Sequence, residues 1–161
     1  MTPRDPVVTR RRAIVLAAGA FVAAPAAAAA AADEDPEVLL RLVAREDAAA
    51  LAYREAAPEP LPGVAAQEED HGKALRTNLD ALGRWAPRVE LDAPARRLAE
   101  APQDRRVEAA IALEASLVED YAAALAELTE PGILQSVATI LASHAQHHAR
   151  LRSQAGLDPF G

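Results

Sequence analysis

The sequence predicts an all-α protein, a four-helix bundle of two antiparallel helix pairs joined by one long crossover between helices two and three. Three observations support this prediction. Alanine, the residue with the highest helix propensity, dominates the composition, and aromatic residues make up only 3%. Apolar residues recur in steps of three and four through four segments. The connections between these segments are short, long and short, as in bundles with one crossover.

The first 32 residues have the composition of an export leader. Four arginines, Arg4 and residues 10–12, precede an apolar stretch at residues 13–24, and an alanine run then extends to Ala32. The arginine pair directly before the apolar stretch resembles the signal of the twin-arginine (Tat) export route. We therefore expect the Tat route to export the chain to a periplasmic or extracellular location.

Removal of the leader would leave residues 33–161 as the folded domain. We expect cleavage within residues 26–32, where small residues offer many sites for a signal peptidase. The alternative is an uncleaved leader that anchors the chain, because residues 13–32 are just long enough to cross a bilayer. Contact with a membrane is expected only in that case.

Charge and cysteine content exclude several classes of function. The net charge is −7, and residues 33–161 carry 13 basic and 23 acidic side chains, a net charge of −10. This argues against nucleic-acid binding, which needs a basic surface. The chain has no cysteine, so disulfides, thiolate metal sites and cysteine nucleophiles are excluded.

The first two helices are expected to be antiparallel neighbours. The first should start with Asp35 as its N-cap and extend to about Ala57. Three closely spaced prolines and Gly63 then force a short turn, and the second helix should run from about Pro62 to Gly83.

The third and fourth helices should form the second pair. Residues 84–103 contain three prolines and one short helical segment at residues 95–100, and this connection is long enough to cross the length of the bundle. The third helix should begin near Asp104, a tight turn at residues 129–132 should follow, and the fourth helix should end before Gly156.

A polar break interrupts each of the four apolar stripes. Glu68 and His71 are three residues apart, so their side chains lie on one face of a helix, and a core-facing Glu-x-x-His is half of a di-iron or di-manganese carboxylate site. Counting residues from the short turns puts all the breaks at about the same level of the bundle. Carboxylate and imidazole ligands suit iron, manganese or zinc. The six predicted metal ligands are Glu46, Glu68, His71, Glu114, His144 and His147.

The same residues have a second interpretation. Asp47 follows Glu46, and Glu69 and Asp70 follow Glu68, so the acidic runs could belong to solvated helix faces. A single glutamate in an apolar stripe is more often a boundary residue than a ligand. Six polar residues at one level favour the metal site.

Three short motifs make residues 37–155 similar to the bacterial ferritin-like domain family, whose members often carry Tat leaders. The resemblance implies that Glu46 and Glu114 are lone carboxylate ligands, and that residues 68/71 and 144/147 are two half-sites. At position 144 the family pattern has glutamate and this chain has histidine. The motifs are Ala112-Leu113-Glu114 with Tyr121, Glu68-x-x-His71 followed by Ala74-Leu75, and Ile140-Leu141-Ala142-x-His144-x-x-His147-x-x-Arg150-Leu151.

The resemblance implies an exported metal-binding protein whose di-iron or related site handles iron or oxygen species, with manganese or zinc as alternative metals and a homodimer as one assembly. The histidine at 144 leaves three glutamates, which cannot fully balance two divalent ions. The alternative function is therefore a non-enzymatic exported bundle, a metal-binding or protein-interaction module with a degenerate site. The residues leave open whether any reaction is catalysed.

Overall fold

The computed structural model describes residues 35–57, 59–86 and 90–160, and within these ranges the protein is helical and has no strands. The all-α prediction is therefore confirmed for the described part of the chain. The predicted leader, residues 1–32, lies outside it. The helices are α1 (Asp35–Glu55), α2 (Val64–Ala81), α3 (Ala93–Ala99), α4 (Arg106–Glu127) and α5 (Pro131–Gln154), with a 3₁₀ turn at Gln103–Arg105.

The long helices pack in consecutive pairs. Helix α1 packs along α2 and α4 along α5, while α1 also contacts α4 and α2 contacts α5. The short helix α3 lies in the connection between α2 and α4 and packs against both α1 and α4. Among the described residues, no helix combines the length and apolar character needed to cross a membrane.

The ends of the helices follow from local sequence. Gly63 precedes α2 with a left-handed φ of 83°, which is strained for any other residue. Glu130 is the N-cap of α5, and its side-chain oxygen accepts a hydrogen bond from the backbone N–H of Ile133 at 2.7 Å. Residues 131 and 132, which were expected in the turn, belong to the first turn of α5, since proline is favoured at the first helical position.

Asp35 has a different role from the one predicted. Its carboxylate does not cap α1 but accepts hydrogen bonds from the backbone N–H groups of Thr129 and Glu130, at 3.0 and 2.9 Å. The side chain is buried, and a buried carboxylate needs such donors. Asp35 thus joins the start of α1 to the turn between α4 and α5.

A partly buried arginine, Arg45, fixes the connection to the helices beside it. Asp92 caps α3 by accepting a hydrogen bond from the backbone N–H of Ala95 at 2.9 Å. Its second carboxylate oxygen accepts from Arg45 of α1. Arg45 also donates to Ser116 at 2.6 Å and lies 2.6 Å from the carboxylate of Asp120, both on α4. One side chain of α1 therefore holds both α4 and the start of α3.

The apolar core consists of two clusters with a polar layer between them. On α1, Val43 belongs to one cluster and Ala49 to the other, and Glu46 lies between them. On α5, Ile140 and Leu151 belong to the same two clusters. His144 and His147 lie between these two residues, so each of these helices passes through the polar layer.

Candidate metal centre

The six predicted ligands lie together in this polar layer. The three glutamates and His144 are fully buried, and His147 is 2% exposed. His71 is the most accessible of the six, with 15% of its side chain exposed. This burial excludes a solvated acidic face at these positions. The six side chains come from α1, α2, α4 and α5.

A first group of four residues could hold a metal ion: it consists of Glu46, Glu68, His71 and His144, whose ligand atoms lie within 4.8 Å of one another. The Nδ1 atom of His71 lies 2.9 Å from Oε2 of Glu68 and 3.5 Å from Oε2 of Glu46. The Nε2 atom of His144 lies 2.9 Å from Oε1 of Glu46.

A second group consists of Glu68, Glu114, His144 and His147, within the same 4.8 Å limit. The Nδ1 atom of His147 lies 3.2 Å from Oε1 of Glu68 and 3.6 Å from Oε1 of Glu114. The Nδ1 atom of His144 lies 3.0 Å from Oε2 of Glu114. Glu68 and His144 belong to both groups, so the two sites would be adjacent and share these residues.

His144 lies between two carboxylates and contacts both. Its Nε2 faces Glu46 and its Nδ1 faces Glu114, and because carboxylates only accept hydrogen bonds, both contacts require a protonated, positively charged ring. Burial alone would lower the pKa of His144, but hydrogen bonds to Glu114 and Glu46 raise it to about 10. In the metal-free arrangement His144 is therefore an internal cation.

The other two imidazoles behave similarly. Burial opposes their protonation, yet the neighbouring carboxylates raise the pKa of His71 and of His147 to about 9 each. The carboxylates thus favour the protonated form of both rings when no metal is bound.

The three carboxylates are not equivalent. Burial alone would raise the pKa of all three, but hydrogen bonds with the imidazoles, His144 first, lower the pKa of Glu46 and of Glu114. For Glu68 the effect of burial prevails and the pKa is raised, with the charge of Glu46 adding to it. Glu68, which both groups share, is therefore the carboxylate that accepts a proton most readily.

Three buried atoms at the site have no hydrogen-bond partner: Oε2 of Glu46, Oε1 of Glu68 and Nδ1 of His147. The Nε2 of His147 lies 2.6 Å from the side-chain oxygen of Gln67, so Nε2 carries a proton and donates it. In the neutral ring Nδ1 is then a lone-pair atom 3.2 Å from a carboxylate oxygen, an unfavourable pairing unless a proton or metal ion lies between them. The donor set therefore fits a bound cation.

Three further residues hydrogen-bond to the candidate ligands, and the sequence did not predict these contacts. Gln67 holds the ring of His147. The hydroxyl of Tyr53, on α1, donates to Oε1 of Glu114 at 2.6 Å, and that of Tyr121, on α4, donates to Oε1 of Glu46. Burial, then the adjacent carboxylate, raises the pKa of both phenols well above its usual value, so they remain donors.

The sequence does contain a signal for the two tyrosines. Glu46 and Tyr53 are seven residues apart, and so are Glu114 and Tyr121. Seven residues are about two helical turns, which puts each glutamate and its tyrosine on one face of the same helix. Each tyrosine then reaches the glutamate of the other helix.

Comparison with known proteins identifies the family to which the chain belongs. Residues 16–157 match the ferritin-like domain family, over a range that begins inside the predicted leader and ends just after α5. No match was found among curated proteins or among solved structures. The family match covers most of the sequence, and the chain therefore belongs to the ferritin-like domain family.

Proposed function

We propose that the protein is an exported metal-binding protein with a di-iron or related carboxylate–histidine site in its core, which handles iron or oxygen species. The observation that carries the proposal is the buried layer in which two overlapping groups of ligands share Glu68 and His144. Atoms without hydrogen-bond partners in this layer are what a cation would satisfy. Manganese and zinc are alternative metals, because the same ligand types suit them.

The proposal includes a four-helix bundle with one crossover. Its support is the packing of α1 with α2 and of α4 with α5, together with the placement of α3 in the connection between the pairs. In this arrangement the connection between α2 and α4 is the crossover, and Arg45 fastens it to α1 and α4.

Each part of the site has a distinct task in the proposal. A bound iron would supply Lewis acidity and one-electron redox chemistry. The glutamates and histidines bind it, Tyr53 and Tyr121 hold two carboxylates in position, and the two apolar clusters exclude water from above and below. With a histidine at 144, the three glutamates leave one positive charge unbalanced beside two divalent ions.

A second candidate is a bundle that retains the fold without metal chemistry. It is favoured by the position of His144, because a protonated ring between Glu46 and Glu114 offsets part of the charge of these buried carboxylates without metal. Such a protein would be the protein-interaction form of the non-enzymatic bundle predicted from the sequence, with a degenerate site.

Metal titration separates the two candidates. We expect the purified protein to bind Fe(II), Mn(II) or Zn(II), and Glu68→Ala to weaken binding by about 100-fold because both ligand groups lose a carboxylate. Glu69→Ala is the matched control, since the neighbouring glutamate is partly exposed and pairs with Arg54 outside the site. If the unaltered protein binds none of the three ions, the degenerate bundle is the correct function.

The cellular location has its own test. We propose export by the Tat route with cleavage inside residues 26–32, supported by the arginine pair before the apolar stretch. N-terminal sequencing of the protein from the exported fraction should give a start in this window. An intact Met1 in the membrane fraction would instead establish an anchor, and replacement of Arg10 and Arg11 by lysine should prevent export.

A further inference from the structure

His71 differs from the other five residues of the candidate metal centre in its access to solvent. Its side chain is 15% exposed, whereas the side chains of the other five are at most 3% exposed. Its Nδ1 points toward Glu68 and Glu46 inside the layer. The same ring lines a surface groove of about 370 Å³. His71 is thus in contact with both the buried site and the surface.

The groove lies between α2 and α5. His71 and Ala74 of α2 form one side, and four residues of α5 form the other. Three further grooves of about 440, 490 and 440 Å³ among the described residues have none of the six candidate ligands in their walls. The α2–α5 groove is therefore the one of these four that reaches the site. Its α5 side consists of Gln135, Ser136, Thr139 and Ile140.

Two hydroxyl side chains, Ser136 and Thr139, line the groove, whose surface is otherwise mostly apolar. The hydroxyl of Ser136 donates to the backbone carbonyl of Gly132 at 3.0 Å, and that of Thr139 donates to the carbonyl of Gln135 at 2.8 Å. Both hydroxyl hydrogens are used within the helix, so the oxygen lone pairs remain as acceptors. None of the six lining residues is a lysine or an arginine. Neutral oxygen donors without a nearby ammonium or guanidinium in the wall suit a hydrated divalent cation.

We infer that metal ions reach the buried site through this α2–α5 groove, passing the ring of His71. The inference rests on the proposed metal-binding function and names the route that serves it. Entering ions would first meet the hydroxyl oxygens of Ser136 and Thr139 and then the imidazole of His71. The first ligand group, which contains His71, would fill before the second.

The absence of cysteine permits a direct test. Thr139→Cys places one thiol on the exposed wall of the groove, and a bulky thiol-disulfide reagent can be attached after folding and removed by a phosphine reductant. Ala112→Cys, on the exposed face of α4 in a groove without candidate ligands, is the matched control. Co(II) is the probe, because its visible absorption reports coordination, and loading is followed by stopped flow.

We expect the label at position 139 to slow Co(II) loading by about tenfold and to leave the equilibrium affinity unchanged. Removal of the label should restore the rate, and the label at position 112 should have no effect. Ala74→Cys, on the α2 wall, should repeat the result if the change at 139 impairs folding.

The outcomes separate the route from the function. If the unlabelled protein binds Co(II), but the variants labelled at positions 139 and 74 load at the unlabelled rate, the route is wrong and the metal site stands. A label at 139 that changes affinity without slowing association also overturns the route. If the unaltered protein binds no Co(II), Fe(II), Mn(II) or Zn(II), the proposed function fails first.

Discussion

The α1–α2 half and the α4–α5 half of the centre are built alike and differ at one ligand. Each half has a lone glutamate, Glu46 or Glu114, followed seven residues later by a tyrosine that bonds the glutamate of the other half. Each half also has a pair of ligands three residues apart. In α2 this pair begins with Glu68, and in α5 it begins with His144.

This one difference exchanges an anion for a cation in a fully buried layer. Glu68 retains an oxygen without a partner, whereas both ring nitrogens of His144 hydrogen-bond to carboxylates. A buried glutamate at 144 would need a metal ion to balance its negative charge. The protonated histidine instead brings a positive charge next to Glu46 and Glu114. The buried carboxylates of this bundle can therefore be balanced by metal ions when residue 144 is glutamate, and by protonated imidazoles when it is histidine.

The largest effect is expected from His144→Glu, which makes the two halves alike. Without metal, this change removes a buried cation and adds an anion among three carboxylates, and it should destabilise the fold by about 3–5 kcal/mol. With metal, the fourth carboxylate should strengthen the binding of a second Fe(II) by at least about tenfold. Thermal unfolding and anaerobic Fe(II) titration measure the two effects.

Gln146→Glu is the control for this substitution, because it adds a carboxylate at an exposed position of the same helix, α5. It should leave the stability and the metal stoichiometry nearly unchanged. If His144→Glu behaves like this control, His144 is outside the site and the comparison of the two halves fails.

The pH dependence of stability should differ between the metal-free and metal-bound forms. The pKa values of His71, His144 and His147 are raised to about 9, 10 and 9, above the ordinary value of 6.5. Their contribution to stability is thus complete below about pH 6.5 and is lost as the pH rises through 9–10. The pKa values of Glu46 and Glu114 are lowered, so the ionised carboxylates stabilise the fold above their ordinary pKa of 4.5. This contribution to stability is lost in acid.

Bound metal should prevent the loss of stability at alkaline pH, because imidazoles that bind metal must be unprotonated. We expect the melting temperature of the metal-free protein to fall between about pH 7 and 10, and that of the metal-bound protein to hold there and fall in acid. Parallel melting curves of both forms across this range would contradict the assignment. His148→Gln, a change outside the two ligand groups, should leave the difference in place.

The smallest effect should come from the tyrosines, and it should be unequal. Tyr53→Phe leaves Oε1 of Glu114 without its donor, whereas Tyr121→Phe leaves Oε1 of Glu46 still bonded to His144. We expect a loss of about 2 kcal/mol for Tyr53→Phe and of about 1 kcal/mol for Tyr121→Phe in urea unfolding. A larger loss for Tyr121→Phe would mean that His144 does not support Glu46.

Features that depend on the geometry of a single helix could be predicted from the sequence. The spacing of Glu68 and His71 sets their common face whatever the neighbouring helices do, because it depends only on helical geometry. Counting residues from the short turns was enough to put Glu46 level with Glu68, and Glu114 level with His144, to within about one helical turn. The helices of the described region agree with their predicted positions to within two or three residues, and their existence follows from alanine content and apolar periodicity.

Contacts between distant helices could not be predicted in this way. Whether Gln67 reaches His147, 80 residues later, depends on the rotation of α2 against α5, which the sequence pattern does not specify at the level of one side chain. The same holds for Asp35, whose N-cap assignment was locally reasonable but was superseded by donors 94 and 95 residues away. Such contacts depend on packing and not on propensity.

The bonds from Asp35 to the α4–α5 turn also bear on the proposed removal of the leader. A mature chain that starts within residues 26–32 retains Asp35, so both backbone N–H groups of the turn keep their acceptor. A protease that trimmed only a few residues further would remove this acceptor and leave the backbone N–H groups of Thr129 and Glu130 without it. If the leader is removed as proposed, the start of the mature protein is thus limited by this pair of hydrogen bonds as well as by the cleavage motif.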